Sequence, residues 1–318
     1  MKENFFLTIV VAAYNVSDYI EQCIDSLKFE ELKVEIIVIN DFSHDITRSI
    51  LNKYKNIKII NLDRNIGISQ VRNMGIDIAQ GQYITFIDGD DYIDSKNLEN
   101  FLLYSSNEFK KNIDVFIGNY INFYEDRGEF IDNKVKYEVM GKIFKGEYII
   151  EKFMLNSISG SVWKCIYNLD FIRRKSIKFM ENVTIAEDVE WLLRTISLSD
   201  NVLFDTSKLY YIYRTRNNSV MNSGFSQRKY DDSLKVVISL ITFTQSMKIS
   251  KNCRKKIHIV ALAVFLQALG KYKYIHNYDE IKFISKKIII NNTLYSVIIL
   301  GLIYSTRMML RLLALKYK

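Results

Sequence analysis

Asp88, Asp90 and Asp91 place three carboxylates within four residues at the end of the apolar run Tyr83 to Ile87. Carboxylates this close repel one another and raise each other's pKa unless a cation compensates. Oxygen ligands at a strand end suit Mg²⁺ or Mn²⁺, which keep several waters and share their other positions with a substrate's phosphates. The alternative is a solvated acidic turn in which Asp91 or Ser95 caps the following helix. A second acidic pair, Glu187-Asp188, precedes Val189, Trp191, Leu192, Leu193 and Ile196 at helical spacing. Such a pair either complements a helix dipole or supplies a carboxylate that removes a proton from a nucleophile.

The elements that must carry these groups are legible in the hydrophobic pattern. Leu7 to Ala13 is an unbroken apolar run, as expected of a strand covered on both faces, and Asp18 and Glu21 follow it at capping-box spacing. Val34 to Ile39 repeats the strand pattern and ends in Asn40-Asp41, with a helix expected over Ile46 to Tyr54. Ile57 to Leu62 is a third strand, Asn65-Ile66-Gly67 a turn, Ser69 to Ala79 a helix stopped by Gly81, and Tyr83 to Ile87 a fourth strand. Strands alternating with helices at this spacing call for an α/β fold with a mostly parallel sheet, whose ligands sit beyond the carboxyl ends of the strands. Asn40-Asp41, Asn65 and the Asp88 to Asp91 cluster all fall on that edge. Further along, Asp114 to Gly118 reads as a strand, residues 119–145 as loops or a hairpin, Leu169 to Lys175 as a short helix, and Val202 to Asp205 with Lys208 to Tyr213 as a strand pair. From Gln227 the pattern is helical, over Lys229 to Met247, Cys253 to Tyr274, Asp279 to Ile290 and Thr293 to Lys318.

Four pieces in order, Thr8 to Asn15, Glu35 to Asp41, Asn65 to Asn73 in the pattern NxGxSxxRN, and Gly81 to Asp91, resemble the nucleotide-sugar half of a family-2 glycosyltransferase of the GT-A fold. The resemblance implies a catalytic GT-A domain over residues 1–225 and a helical basic region over 226–318. It assigns donor binding to Ala13, Tyr14, Asn15, Asp41, Arg72, Asp88, Gly89 and Arg214. Within that set Asp41 would accept from the uracil N3–H, Asp88 would sit near the ribose, and Arg72 would stand beside the nucleotide or the carboxylates. Asp90 would ligate Mn²⁺ or Mg²⁺ on the diphosphate, and Arg214 would neutralise the departing diphosphate, unless 214–219 is simply a solvated basic loop. Asp188 would be the catalytic base and Glu187 its support. Trp163 is either a core residue or an aromatic face on the acceptor side. The sequence departs from the family pattern at Ala13, Asn40, Phe42 and Ser95, where proline, aspartate, glycine and proline are usual. Phe42 is the most consequential, because that turn often needs a positive φ.

The implied activity is inverting, metal-dependent transfer of a hexose or N-acetylhexosamine from a UDP-linked or other nucleotide donor to a growing, lipid-linked or other surface glycan. A sugar nucleotidyltransferase is the rival enzyme, but Tyr14-Asn15 stands where a glycine-rich phosphate loop would be needed. A non-catalytic nucleotide-sugar-binding module is the rival outside enzymology.

Charge and composition bound the partners. Among 318 residues with a net charge of +8, residues 248–318 carry fourteen Lys and Arg against two Asp and Glu, so the rest of the chain is acidic on balance. A basic tail favours phosphate-rich partners, and the absence of a nucleic-acid motif leaves an anionic membrane surface. Thr293, Ser296, Tyr304, Arg307, Arg311 and Lys318 share one stripe of the last helix opposite a wide apolar face, a pattern suited to the membrane interface or to packing on the tail or a second copy of the chain. Cys23, Cys165 and Cys253, odd in number and far apart, are expected as buried apolar residues in a reducing compartment. The apolar start lacks a cleavage site, so the expected location is the cytoplasm or the cytoplasmic face of the inner membrane.

Overall fold

The computed structural model describes residues 4–104, 112–132, 141–152, 160–216 and 227–270. The chain opens with β1 (Leu7–Ala13), α1 (Ile20–Asp25), β2 (Val34–Asn40), α2 (Thr47–Leu51), β3 (Lys58–Asn61), α3 (Ile68–Ile78) and β4 (Tyr83–Asp88). Then follow β5 (Tyr92–Ile93), α4 (Ser95–Tyr104), β6 (Val115–Tyr124), β7 (Glu129–Asp132), β8 (Lys142–Phe144), α5 (Gly146–Lys152), β9 (Cys165–Asn168) and α6 (Leu169–Arg174). The last described elements are α7 (Glu187–Ser197), β10 (Val202–Thr215), α8 (Gln227–Ser246) and α9 (Lys251–Gly270).

Among the described residues these strands form one sheet in the order β3-β2-β1-β4-β9-β6-β10-β5, with β7 paired to β6 and β8 to β10. β3, β2, β1 and β4 run parallel, so their carboxyl ends share one edge. Beyond β4 the antiparallel β9 is inserted, and β6 and β10 then pair in parallel. The parallel half was readable from the apolar runs, because a strand covered on both faces has no polar side. In β1, Leu7, Ile9, Val11 and Ala13 enter one apolar cluster and Val10 enters the other. Each such fully buried leucine, isoleucine or valine contributes on the order of 2 kcal/mol by leaving water.

Several local expectations changed. Asp18 and Glu21 form no capping box, because α1 begins only at Ile20 and its N-cap, Tyr19, has no side-chain capping bond. The cap of α4 is Asp94, whose carboxylate accepts from the Asn97 amide and side chain, and neither Asp91 nor Ser95 takes that role. The expected pair of strands over 202–213 is the single strand β10, with register irregularities between Phe204 and Tyr211. The stretch 119–145 does contain a hairpin, β6 with β7.

The expected domain boundary at 225/226 falls in 217–226, outside the described residues, as do the expected helices over 279–290 and 293–318. The helices before them do not stand apart. Tyr230, Leu234, Val237, Leu240 and Ile241 of α8 share one cluster with Trp191, Leu192 and Ile196 of α7 and with Phe86 of β4. No helix among the described residues is long and apolar enough to cross a membrane. The three cysteines are buried and unpaired with one another, as expected.

Candidate active site

The carboxyl edge of the parallel strands gathers the predicted groups in three layers. The first is the junction of β1 and β2. The Asp41 amide donates to Ala13 O at 2.8 Å, the Asn15 amide to Ser43 Oγ at 2.9 Å, and the His44 amide to Asn15 Oδ1 at 2.8 Å. Asn15 and Phe42 both adopt a positive φ, 50° and 60°, so the turn geometry the sequence made awkward for Phe42 is adopted nonetheless. Ala13 is buried, whereas Tyr14 and Phe42 are 46% and 39% exposed. Asp41 is buried, and its two carboxylate oxygens accept from the amides of Ile66 and Gly67 at 2.7 and 2.8 Å. Gly67, with φ 84°, precedes α3 and turns both amides toward Asp41, a conformation that a side chain would strain.

The second layer is the acidic stretch after β4. The Gly89 amide donates to Ala12 O at 2.9 Å, and a Cβ on Gly89 would lie 2.9 Å from that same oxygen, so only glycine lets the chain pass so close to β1. The side chains of Asp88 and Asp90 are 30% and 26% exposed. Burial, then the charge of Asp88, pushes the Asp90 carboxyl upward, against the opposing pull of Arg216, whose guanidinium donates to Asp90 Oδ2. Asp91 is not a candidate ligand. It is buried and accepts from Tyr211 Oη at 2.6 Å and the Arg214 amide at 2.8 Å, and burial and its acidic neighbours hold its carboxyl well above the ordinary range.

Arg214 and Arg216 have different surroundings. Arg214 is 6% exposed, with its guanidinium bonded to Asp90 O, Glu125 Oε1 and Gln22 Oε1 and packed near the rings of Tyr19, Tyr92 and Phe123. These contacts tie the end of β10 to Glu125 just past β6 and to α1. The cation that meets the exposed carboxylate is Arg216, two residues on. The two share one charge and stand two residues apart, so the sequence holds no signal that separates them.

The third layer is the junction of α3 with α7. Arg72, 2% exposed, donates from Nη2 to Asp88 Oδ1 at 2.9 Å and from Nη1 to Asp188 Oδ1, with Glu187 Oε1 at 3.6 Å from the same nitrogen. Its guanidinium also lies 5.4 Å from the Phe179 ring centroid. Burial disfavours the cation, but Asp188, Asp88 and Glu187 outweigh it and hold the Arg72 proton above its ordinary value. The reciprocal effects fall on the acids. Burial and then the charge of Asp188 push Glu187 up to about 8, with Arg72 opposing. Burial raises Asp188, Arg72 opposes it, and Asp88 adds to the rise, while the Val162 amide bonds to its carboxylate.

What points α7 into the site was not visible in the motif. Ala186 precedes Glu187 with φ 59°, and the loop before it is held where Asp232 of α8 accepts from the Thr184 amide and hydroxyl at 3.0 and 2.9 Å. Trp163 belongs to the interior. It is 5% exposed, stacked on Tyr211 and Tyr213 at centroid distances of 4.2 and 5.5 Å and met edge-on by Tyr120 at 4.8 Å. An acceptor sugar has no face of the indole to stack on, so the contact reading of Trp163 gives way to the core reading.

The arrangement therefore sets a strand edge bearing amide-braced Asp41 and partly exposed Asp88 and Asp90 next to a carboxylate pair bridged to it by one arginine. The Glycosyl transferase family 2 model matches residues 8–178, more than half of the chain. The glycosyltransferase GlyG of Streptococcus pneumoniae is 27% identical over 291 residues, which cover 86% of this chain and 90% of that protein. The poly(ribitol-phosphate) beta-N-acetylglucosaminyltransferase TarS of Staphylococcus aureus is 24% identical over 225 residues, 69% of this chain and 37% of that one. The crystal structure of S. aureus TarS residues 1–349 in complex with UDP-GlcNAc superposes with a TM-score of 0.63 at 20% identity, covering 84% of this chain and 72% of that one, a likeness of fold. With the family model, the glycosyltransferase relatives and the carboxylate-bearing strand edge in agreement, the chain belongs to glycosyl transferase family 2 and is a glycosyltransferase.

Proposed function

We propose that the protein transfers a hexose or N-acetylhexosamine from a nucleoside diphosphate sugar, UDP-linked, to a surface glycan with inversion at the anomeric carbon. The observation that carries this reading is Arg72, which joins the strand-end carboxylate Asp88 to the α7 carboxylate Asp188 in one buried contact. A donor at the strand edge would then have its reacting carbon beside a base. TarS, named for N-acetylglucosaminyl transfer to poly(ribitol phosphate) and crystallised with UDP-GlcNAc, supports both the donor class and the kind of acceptor.

In this reading Asp41, braced by two amides, still has lone pairs for the N3–H of uracil. Tyr14, Ala13 and Asn15 edge the base, and Asp88 and Gly89 lie by the ribose. Asp188 accepts the proton of the acceptor hydroxyl as that oxygen attacks the anomeric carbon from the face opposite the diphosphate. The bond from that carbon to the phosphate oxygen breaks, the nucleoside diphosphate leaves with the electron pair, and the configuration inverts. Arg72 keeps Asp188 oriented and favours its ionised form, and Glu187 lies 3.6 Å from the same guanidinium nitrogen.

Asp90 fits a divalent cation by the chemistry of its donors. It is a partly exposed carboxylate beside Asp88 and already draws a cationic group, Arg216. A hard cation shared with a diphosphate needs only one or two protein carboxylates, so the lack of a cluster of three or more metal-ligating side chains among the described residues is no obstacle. Bound there, Mn²⁺ or Mg²⁺ would neutralise charge on the diphosphate.

The test is nucleoside diphosphate release from a panel of nucleotide sugars with Mn²⁺, comparing the wild type with Asp188→Asn and Asp90→Ala. Turnover of one donor that both substitutions abolish supports the reading, and a wild type that binds no nucleotide sugar ends it. The proposal extends to peripheral contact of residues 293–318 with the cytoplasmic face of the membrane. Co-sedimentation of the full chain, but not of a chain ending at residue 270, with anionic vesicles is the expected result.

A further inference from the structure

We infer that Phe42 is a base-stacking residue of the donor site, an inference that rests on the nucleotide-sugar reading above. Phe42 combines two features that are each unfavourable in isolation. Its backbone has φ 60°, a left-handed conformation that crowds any side chain with a Cβ and is least suited to bulky ones. The residue is left 39% exposed, so burial offsets only part of that strain. Such outliers persist where the surroundings over-determine them, and they concentrate at functional sites.

The over-determination is explicit on both sides of the residue. Asp41 is pinned by its amide to Ala13 O, by its carboxylate to the Ile66 and Gly67 amides, and by its carbonyl, which accepts from Asn65 Nδ2 at 3.1 Å. Ser43 is pinned from the other side. Its amide and hydroxyl donate to Asn40 Oδ1 at 3.2 and 2.6 Å, and its hydroxyl accepts from the Asn15 amide. With both neighbours fixed, Phe42 has no freedom to relax, and at the carboxyl edge its ring meets His44 edge-on at a centroid distance of 4.9 Å. Tyr14 is another exposed ring of this edge, on the loop tied to the Phe42 turn through Asn15. A flat, apolar ligand face that meets these rings beside the hydrogen-bonding Asp41 has the chemistry of a nucleobase. The diphosphate offers no such face, and UDP carries no sugar beyond its ribose, so the base is the part of that ligand that tests the rings.

The experiment measures binding of UDP and of inorganic pyrophosphate, with Mn²⁺, to the full-length wild type, Phe42→Gly, Phe42→Asn and Phe42→Tyr, with thermal melts of all four. Glycine and asparagine both accept a left-handed φ, so neither variant is expected to unfold. The expected result is UDP binding weaker by about tenfold in the glycine and asparagine variants, which corresponds to about 1.4 kcal/mol. Pyrophosphate binding stays unchanged, the glycine variant melts higher, and the tyrosine variant binds UDP as the wild type does. UDP binding that is equal in the wild type and the glycine variant overturns the inference and leaves the donor reading standing. An equal loss of pyrophosphate binding also overturns it, because the ring would then serve the loop and not the base. A wild type that binds neither ligand overturns the donor reading and this inference together.

Discussion

Asp188 and Glu187 sit so close under one guanidinium that their protonation must show in both stability and rate. A carboxyl whose folded pKa lies above its unfolded one contributes stability that is complete below the unfolded value and is lost as pH rises through the folded value. For Glu187 that window runs from its ordinary value of 4.5 up to about 8. Thermal midpoints are expected to fall as pH rises across it, and Glu187→Gln should flatten the fall. Activity moves the other way, because the base must be ionised. The acid limb of a kcat/KM profile should lie above the ordinary carboxylate range, since burial and Asp88 raise Asp188 more than Arg72 lowers it. Asp188→Asn keeps the shape and the Arg72 contact but not the base, so donor binding should persist while turnover falls by about 10²-fold or more.

The junctions between elements carry a second set of expectations. Arg72 joins α3 to the end of β4 and the start of α7, and its removal leaves three acids facing one another in a largely buried place. Arg72→Ala should cost about 3–5 kcal/mol in denaturant unfolding, the usual penalty of an orphaned buried charge. Arg214 and Arg216 separate along the same line. Arg214→Ala should destabilise by about 3 kcal/mol, because it empties a cage formed by β10, β6 and α1. Arg216→Ala frees the Asp90 carboxylate from its guanidinium. The melting temperature of that variant should respond to Mn²⁺ at lower concentration than the wild type's, read by thermal shift without substrate.

Seen whole, the helices after β10 complete the molecule that holds the site. Beyond the apolar faces shared by α8 and α7, Ser239 of α8 donates to Glu190 at 2.6 Å, and Glu190 in turn pairs with Arg194 at 2.7 Å. A chain ending at residue 226 would expose that cluster and free the Thr184 loop from Asp232. It should lose cooperative melting and near-ultraviolet dichroism, whereas a chain ending at residue 270 should keep both.

The sequence by itself determined the parallel half of the sheet and the carboxylate motifs on its edge. β1, β2 and β4 are apolar on both faces, and a period that leaves no polar side admits few other placements. The order of the four family motifs likewise named the fold, and Asp88, Asp90, Glu187 and Asp188 do meet at one edge. What only the tertiary structure decided was which of several equivalent-looking side chains faces solvent. Arg214 and Arg216 have the same charge and stand two residues apart, yet one is enclosed by Glu125, Gln22 and three rings and the other meets Asp90. Asp91 differs from Asp90 only in register, and Tyr211, 120 residues away, draws it inward. Trp163 could stack on a sugar or on tyrosines, and β10 supplied the tyrosines. Local pattern sets period and charge, but burial is set by partners distant in the chain, and no single-residue signal reports which partner will arrive.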